Sequence, residues 1–333
     1  MAAAKKYEIA GSRSLVTGGA GLVGAYVCEA LVDAGADEVV IYDSLTRGTR
    51  EQVERIKEKA AGVATEIHLI VADIRDAEQL AAATEGMDYV FSQAAMWLRQ
   101  CQAHPRESLD VNVIGNFNVF QACVDAGVKK LVHASSSSVY GDGRYLPTDE
   151  EHPFDNDLFY GATKVAGEQL LRCFGKEHGL EYNVLRYLNV YGPHQASGSA
   201  YMDAIAHFAA RIEAGKPPRI EGDGTQTLDM VYVGDCARAN LLSLETEVTG
   251  EAFNVCSGRE TTVLELAQTL LRIYCREDLQ PEFVPRDQRL VARRWGSPDK
   301  AREVLGFEAQ VSNEEGLRKV VEARLAQQAG ARS

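Results

Sequence analysis

The first apolar strand of the chain runs into three spaced glycines in the stretch Ser14-Leu15-Val16-Thr17-Gly18-Gly19-Ala20-Gly21-Leu22-Val23-Gly24. In such a strand–helix turn, Gly18 provides the tight curvature, Gly21 lets a pyrophosphate approach the backbone, and Gly24 allows close helix–strand packing. The helix N-terminus offers free N–H groups and a positive dipole end to phosphates. The stretch predicts a dinucleotide-binding turn. A βαβ unit that binds no ligand is the alternative, because tight turns also use glycine.

An acidic residue follows at the distance that a dinucleotide site requires. Asp43 ends the second predicted strand, 19 residues after Gly24. A carboxylate there accepts hydrogen bonds from the ribose hydroxyls of adenosine and repels a 2′-phosphate. The pattern therefore favours NAD over NADP as cofactor. Arg47, four residues further on, leaves open a contact with a phosphate.

Short apolar runs alternate with amphipathic stretches through the first half of the chain. The predicted strands are Ser14–Thr17, Glu38–Asp43, Ile67–Asp73, Asp88–Ala95, Lys130–Ser136 and Asn183–Asn189. The predicted helices are Leu22–Ala34, Thr49–Ala60, Ala77–Thr84, Ser108–Ala126 and Tyr160–His178, followed by Ala200–Ala214, Thr262–Tyr274, Pro298–Leu305 and Asn313–Gln327. The alternation predicts an α/β fold, a Rossmann-type doubly wound parallel sheet with helices on both faces.

The rhythm of the sequence changes after Asn189, where Gly- and Pro-containing loops separate shorter elements. We therefore assign residues 12–190 to an NAD-binding Rossmann domain. Residues 191–328 form mainly a smaller C-terminal α/β substrate-binding lobe, some of whose segments return to the first domain.

A second chemical pattern involves a tyrosine and a lysine. Tyr160 and Lys164 stand four residues apart at the start of a predicted helix and so share one face. An ammonium beside a phenol lowers the phenol's pKa from about 10, which lets Tyr160 accept the proton of a substrate hydroxyl. The serines Ser135–Ser138 end the fifth predicted strand, at the edge where open α/β sheets bind ligands. Taken singly, an exposed helix pair and a polar turn remain alternatives.

Composition excludes several classes of protein. The 333 residues carry 48 acidic and 35 basic side chains and a net charge of −13, which argues against a nucleic-acid binder or a protein drawn to anionic membranes. The seven cysteines form no Cys-x-x-Cys pair, and the N-terminal residues contain no apolar signal segment. We expect a cytoplasmic protein without a membrane helix. The histidines show no ligand spacing, so no metal site is predicted.

Further motifs join the glycine stretch and the Tyr160–Lys164 pair. They are Asp73-Ile74, Ala94-Ala95, Ser135-Ser136-Ser137-Ser138-Val139-Tyr140-Gly141 and Arg186-Tyr187-Leu188-Asn189-Val190-Tyr191-Gly192-Pro193. Together they resemble the extended short-chain dehydrogenase/reductase family, and more closely its NAD-dependent nucleotide-sugar epimerase/dehydratase branch, of which the UDP-glucose 4-epimerases are an example. The resemblance covers most of residues 12–325.

The resemblance implies roles for individual residues. Ser136 matches the catalytic serine or threonine, Tyr160 the catalytic base, and Lys164 its modulator, which also holds the nicotinamide ribose. The implied cofactor-binding positions are Gly18, Gly21, Leu22, Val23, Gly24, Asp43, Asp73, Ile74, Ala94, Ala95, Tyr160 and Lys164. Asn189 matches a contact to the diphosphate of a sugar nucleotide. Relatives commonly form homodimers through the helix that bears Tyr160 and the helix before it.

The resemblance also separates possible reactions. A 4,6-dehydratase of this branch carries Asp-Glu directly after the catalytic serine or threonine, where this chain has Ser137 and Ser138. Hydroxyls are poor acids and bases near neutral pH, so a C4 epimerase of a nucleoside-diphosphate hexose is the leading expectation. A dehydratase and a C4 oxidase are the alternatives. A non-catalytic NAD-binding regulatory protein is the third, although Ser136, Tyr160 and Lys164 are all present.

One departure from the family pattern concerns the substrate. Leu228 stands where relatives carry an arginine that clamps the substrate diphosphate. A cluster further on contains Arg286, Arg289, Arg293 and Arg294, and we expect Arg289 or Arg294 to replace the missing clamp. Ser136, Ser137 and Trp97 complete the expected substrate contacts, since an indole stacks well on the apolar face of a sugar. A surface turn and a core tryptophan are the alternatives.

Overall fold

The computed structural model describes residues 3–195, 202–285 and 293–330, without the side chains of residues 202, 203 and 330. The strands in these ranges are β1 (Arg13–Thr17), β2 (Glu38–Asp43), β3 (Glu66–Val71), β4 (Tyr89–Ser92), β5 (Lys130–Ser136), β6 (Tyr182–Tyr187), β7 (Asn189–Tyr191), β8 (Arg219–Glu221), β9 (Thr227–Leu228), β10 (Met230–Tyr232), β11 (Glu251–Val255), β12 (Thr261–Thr262) and β13 (Glu282–Val284). The helices are α1 (Leu22–Asp33), α2 (Arg50–Ala60), α3 (Ala77–Thr84), α4 (Leu98–Ala103), α5 (Pro105–Leu109), α6 (Asn116–Asp125), α7 (Phe159–His178), α8 (Met202–Glu213), α9 (Val233–Glu245), α10 (Val263–Ile273) and α11 (Asn313–Gly330).

The main body of the described residues is a parallel sheet in the order β11-β6-β5-β4-β1-β2-β3. Helices α1, α2 and α9 cover one face, and α3, α6 and α7 cover the other. Strands buried on both faces need near-continuous apolar runs, and β2 has one in Val39-Val40-Ile41-Tyr42. The predicted Rossmann-type doubly wound sheet is confirmed.

One strand of this sheet and one helix that covers it come from beyond residue 191. Helix α9 packs against α1, and β11 pairs in parallel with β6 from Glu251↔Asn183 to Val255↔Tyr187. The sequence predicted neither element. Asn240 in α9 and Asn254 in β11 are fully buried, and such polar residues interrupt the apolar periodicity that marks a helix or a strand.

The remaining C-terminal segments form a smaller lobe. Its elements include the pairs β10–β7, β12–β9 and β13–β8, and α8, α10 and α11 pack around them. Phe208, Leu266, Leu270 and Leu317 are among its buried side chains. This lobe stands beside the C-terminal ends of the central strands and so closes one side of the space above the sheet.

Several predicted boundaries move. The predicted strand Asp88–Ala95 is shorter, because residues 93–95 leave β4 to line the space above the sheet. The predicted helix Ser108–Ala126 contains a π-helical turn, Asp110–Gly115, between α5 and α6. A second such turn, Ala301–Leu305, takes up most of predicted helix Pro298–Leu305. Among the described helices, none combines the length and apolar character that crossing a membrane requires.

Candidate active site

A cleft of about 730 Å³ lies above the C-terminal ends of strands β1 to β6. Its walls contain Gly18, Gly21, Leu22, Val23, Gly24, Asp43, Asp73, Ile74, Ala94, Ala95, Trp97, Ser136, Tyr160 and Lys164. The fold therefore collects residues from five separate loops at one place. Ligands of open parallel sheets bind outside these strand ends, and the glycine turn follows β1, an interior strand of the sheet.

The glycine turn has the shape of a phosphate cradle. A Cβ atom at Gly24 would come 2.2 Å from the Gly18 carbonyl oxygen, and one at Gly18 would come 2.7 Å from the Ala94 nitrogen. A Cβ at Gly21 would meet only the Gly18 carbonyl oxygen within 4 Å, at 3.2 Å. Gly21 is also the N-cap of α1 and supplies no side-chain hydrogen bond to it. Backbone groups at this helix start can thus bind a pyrophosphate, which fits a dinucleotide.

Asp43 lies at the end of β2, directly beside this turn. Its Oδ2 accepts a hydrogen bond from the Ala20 N–H at 3.0 Å, and its Oδ1 accepts one from the Leu45 N–H at 2.8 Å. The side chain is buried, and burial raises the pKa of Asp43 despite these two bonds. The carboxylate is therefore fixed between the glycine turn and the next loop, where an adenosine ribose would meet it.

Asp73 and Ile74, two of the expected cofactor-binding residues, lie on the same side of the cleft. Arg75 donates two guanidinium hydrogen bonds to the Asp73 carboxylate, at 3.0 and 2.7 Å, and holds the pKa of Asp73 below its usual value. Ile74 is buried against Gly115, whose Cβ position lies 2.7 Å from the Ile74 side chain. Arg75 thus fixes the carboxylate, and Ile74 provides apolar surface at the cleft wall.

The structure brings Ser136, Tyr160 and Lys164 together on one wall of the cleft. Lys164 Nζ lies 5.7 Å from the centroid of the Tyr160 ring and donates a 2.8 Å hydrogen bond to the Ala134 carbonyl. The Ser136 hydroxyl accepts a hydrogen bond from the Ser138 N–H at 3.1 Å, and its influence on Tyr160 lowers the pKa of that phenol. The end of β5 and the first turn of α7 therefore bring the expected catalytic residues into a single constellation.

The electrostatics of this constellation differ from the expectation. Burial raises the pKa of Tyr160 to about 12, against the smaller opposing effects of the Ser136 hydrogen bond and the Arg47 charge. Burial also lowers the pKa of Lys164 to about 8. The expectation was a lowered Tyr160 pKa; in this structure desolvation of the phenol outweighs the influence of Ser136 and the positive charge of Arg47.

The buried ion pair between Glu168 and Arg186 joins α7, which carries Tyr160 and Lys164, to β6. Glu168, one turn after Lys164 in α7, accepts hydrogen bonds from Arg186 Nε at 3.0 Å and Nη2 at 2.7 Å. Ser135 donates to the same carboxylate at 2.5 Å. These contacts tie α7, which bears Tyr160 and Lys164, to β5, which bears Ser136, and to β6.

Sequence reasoning missed two groups of polar residues at the cleft. Asn112, in the π-helical turn, accepts from the Met96 N–H at 2.7 Å and donates to the Met96 carbonyl at 3.0 Å and to Thr163 at 3.1 Å. It joins the loop after β4 to α7. Tyr187 bonds with Gln93 at 3.2 Å and with Asn240 at 2.7 Å. Both groups join residues distant in the chain, and no local pattern marks them.

Some expected substrate residues lie elsewhere. Ser137 is buried and Asn189 donates to the Asp229 carbonyl at 2.9 Å, and neither is in the cleft wall. The Arg294 carbonyl accepts from the Asp229 N–H at 2.9 Å, one residue from Leu228. Arg286 and Arg289 lie outside the described residues.

Two other features bear on the site's chemistry. Arg293 forms a bidentate pair with Glu260, at 2.6 and 2.7 Å. This guanidinium is therefore engaged within the C-terminal lobe. In the parts of the chain that the structure describes, no three His, Cys, Asp or Glu side chains come together as a metal site.

Comparison with known proteins places this geometry in a family. The model of the NAD dependent epimerase/dehydratase family matches residues 14–256. A UDP-glucose 4-epimerase from Mycolicibacterium smegmatis is 34% identical over 93% of this chain and 97% of its own. The matched range includes the glycine turn, the catalytic constellation, α9 and β11.

Solved structures agree in fold over nearly the whole chain. The UDP-glucose 4-epimerase of Thermotoga maritima with UDP-glucose is 34% identical, with a TM-score of 0.86 over 95% of this chain and 99% of that one. A dTDP-glucose 4,6-dehydratase from Streptomyces venezuelae with NAD is 29% identical, with a TM-score of 0.85 over 96% and 98%. This chain therefore belongs to the NAD dependent epimerase/dehydratase family.

Proposed function

We propose that the protein is an NAD-dependent nucleotide-sugar epimerase that inverts C4 of a nucleoside-diphosphate hexose through a 4-keto intermediate. The observation that carries the proposal is the meeting of Ser136, Tyr160 and Lys164 beside a glycine cradle, without an acid–base pair at positions 137 and 138. Similarity to UDP-glucose 4-epimerases supports the same reaction.

The residues divide the work as follows. When bound, NAD supplies a hydride acceptor and donor and, in its oxidised form, a positive charge beside the phenol. Tyr160 takes the proton of the C4 hydroxyl as that carbon is oxidised and returns a proton to the oxygen when the ketone is reduced. Ser136 hydrogen-bonds the same oxygen and keeps it against Tyr160. Lys164 stays fixed on the Ala134 carbonyl, where its charge favours the phenolate.

Inversion requires only that the keto sugar turn over in the cleft and receive hydride on its other face. Elimination of water would need an additional acid and base next to Ser136. Ser137 and Ser138 are buried hydroxyls, and the Ser138 Oγ accepts a hydrogen bond from Ser136 at 3.2 Å. We therefore place dehydration and net C4 oxidation second, and the non-catalytic role third.

For the substrate diphosphate we propose a clamp made by Arg294 or Arg289. Leu228 is buried in the C-terminal lobe, and the backbone of Arg294 is hydrogen-bonded to its neighbour Asp229. Replacing both proposed arginines with alanine should raise the KM for the sugar nucleotide about tenfold or more, since charge-assisted hydrogen bonds are lost. Arg293→Ala is the matched control, and an unchanged KM in the double variant refutes the clamp.

The remaining expected contacts complete the proposal. We propose that Asn189 and Ser137 contact the substrate after local rearrangement, and that the Trp97 indole contacts the sugar. Residues 12–190 bind NAD, and residues 191–328 mainly bind the sugar nucleotide, apart from α9 and β11. We further propose a cytoplasmic location and a homodimer formed through α6 and α7.

The decisive experiment incubates the purified protein with UDP-, GDP-, CDP- and dTDP-sugars without added cofactor and follows the products by chromatography and mass spectrometry. We expect a product of unchanged mass and altered retention. Tyr160→Phe should reduce this conversion by about 10²–10⁴-fold, because the proton acceptor is lost. Loss of one water would establish a dehydratase instead. Loss of two hydrogens only when NAD is supplied would establish an oxidase.

A further inference from the structure

Two loops flank the glycine turn, and both contact it. Strand β1 lies between β2 and β4 in the sheet, so the loops that follow β2 and β4 stand on either side of the turn. From the β2 side, the Thr49 N–H donates to the Ala20 carbonyl at 3.2 Å. From the β4 side, the Ala94 nitrogen lies 2.7 Å from the Cβ position of Gly18. The glycine turn thus lies between the loop after β2 and the loop after β4.

A side-chain contact joins these two loops. Arg47, from the loop after β2, places its guanidinium carbon 4.6 Å from the centroid of the Trp97 ring, from the loop after β4. Both residues line the cleft. A guanidinium over an indole is a favourable cation–π pair, because tryptophan is the best of the aromatic partners. Since the loops stand on opposite sides of the glycine turn, their contact spans the cleft.

The charges of the cleft make Arg47 distinctive. Its wall carries the carboxylates of Asp43, Asp73, Glu51 and Glu107. Of the other basic side chains described there, Arg75 is paired with Asp73 and Lys164 is bound to the Ala134 carbonyl. Burial lowers the pKa of Arg47, and the nearby Tyr160 acts in the opposite direction with a smaller effect.

We propose that Arg47 and Trp97 form a clasp across the cleft, in which the guanidinium binds the pyrophosphate of NAD and retains the cofactor between turnovers. The inference rests on the proposed NAD-dependent function and adds a reason for cofactor retention. A planar guanidinium can meet two phosphate oxygens while its face stays on the indole. An epimerase returns its cofactor to the starting state in each cycle, so slow release of NAD does not slow its turnover.

The test measures cofactor release and not turnover. Wild type, Arg47→Ala, Arg47→Lys and Trp97→Phe are loaded with NAD, and its release is followed after dilution by the NAD remaining on the protein. We expect release from Arg47→Ala to be about 10–100-fold faster, and release from Arg47→Lys to be intermediate, because lysine keeps the charge but loses the planar fork. Arg50→Ala, which removes an exposed arginine three residues away, should match wild type.

A second readout uses the two tryptophans of the chain. In a Trp295→Phe background only Trp97 remains, and bound NADH should quench its emission by energy transfer. The Arg47→Ala change in that background should raise the NADH concentration needed for half-maximal quenching by a similar factor. Circular dichroism at matched temperatures separates this loss from unfolding.

The outcomes distinguish the two hypotheses. If wild type retains NAD and Arg47→Ala releases it at the same rate, the clasp is wrong and the proposed function stands. If Arg47→Ala weakens only NADP binding, Arg47 contacts a 2′-phosphate and the clasp is likewise wrong. If wild type does not bind NAD at all, the proposed function itself is wrong.

Discussion

Lys164 is a charged group held at a position that disfavours its charge. The residue is 4% exposed, and burial lowers its pKa to about 8. The difference from the ordinary 10.5 corresponds to about 3 kcal/mol of unfolding free energy, part of which the hydrogen bond to the Ala134 carbonyl offsets. Burial of the charged Lys164 therefore lowers the free energy of unfolding, and it places a cation next to Tyr160.

Replacing Lys164 with methionine should stabilise the ligand-free protein at pH 7 by about 2 kcal/mol in urea unfolding. Because the folded-state pKa is depressed, the unfolded chain binds more protons between pH 8 and 10.5, and wild-type stability rises over that range. The advantage of the variant should therefore shrink by pH 10. Lys176→Met, on the exposed side of α7, is the control and should change little. A gain that does not depend on pH would contradict this account.

At the scale of elements, we expect Gly24 of the glycine turn to matter for the stability of the fold and Gly21 to matter for NAD binding. Gly24→Ala should destabilise the protein by about 3 kcal/mol, because its Cβ would lie 2.2 Å from the Gly18 carbonyl oxygen and α1 would have to move. Gly21→Ala should leave stability within about 1 kcal/mol of wild type but weaken NAD binding about tenfold or more, since the new methyl occupies the phosphate side of the turn. Thermal unfolding and NAD titration of both variants check the pair. Equal stability losses would refute this division of roles.

The same turn shows what a sequence can predict. Gly18, Gly21 and Gly24 are close in the chain, and each is needed for a local reason, so the strand, turn and helix follow from the pattern. Tyr160 and Lys164 share a helix face for a similarly local reason. The structure brings them to the cleft with Ser136, and the sheet order accounts for that meeting.

Other elements could not be predicted because their reasons are not local. Asn254 in β11 is buried and bonds with Tyr140 at 2.7 Å, more than 100 positions away in the chain. Helix α9 packs on α1 through small residues such as Cys236, Ala237 and Ala239, which carry little periodic signal. The Arg47–Trp97 contact joins two loops, and the raised pKa of Tyr160 depends on burial, so neither can be derived from spacing.

At the scale of the whole molecule, the proposed dimer concerns an apolar surface around α6. Leu109, Ile114 and Phe117 are between 40% and 54% exposed, and Phe117 contacts Phe174 of α7 edge to face at 5.3 Å. Phe120 of the same helix is fully buried beneath this surface, against His133 and Phe174. Exposed apolar residues grouped on adjoining helices are typical of a protein–protein interface.

Phe117→Asp should therefore convert a dimer into a monomer at micromolar concentration, because a carboxylate would have to be buried in the interface. Light scattering coupled to size exclusion measures the mass directly. Phe283→Asp, which changes a more exposed phenylalanine in β13, is the control and should leave the mass unchanged. A wild-type protein that is already monomeric would rule out the dimer.

The position of β11 has a consequence for how the chain is made. Residues 1–187 contain six strands of the sheet, but the edge of β6 is completed only when Val255 has been synthesised. The face of α1 that α9 covers also stays exposed until that later part of the chain has been synthesised. During translation the glycine turn and catalytic residues emerge early, on a sheet with one open edge. The ribosome must add about three quarters of the chain before this body can close, so a stop codon before residue 250 would leave a nascent protein in which one edge of β6 has no partner strand, and not a smaller NAD-binding domain.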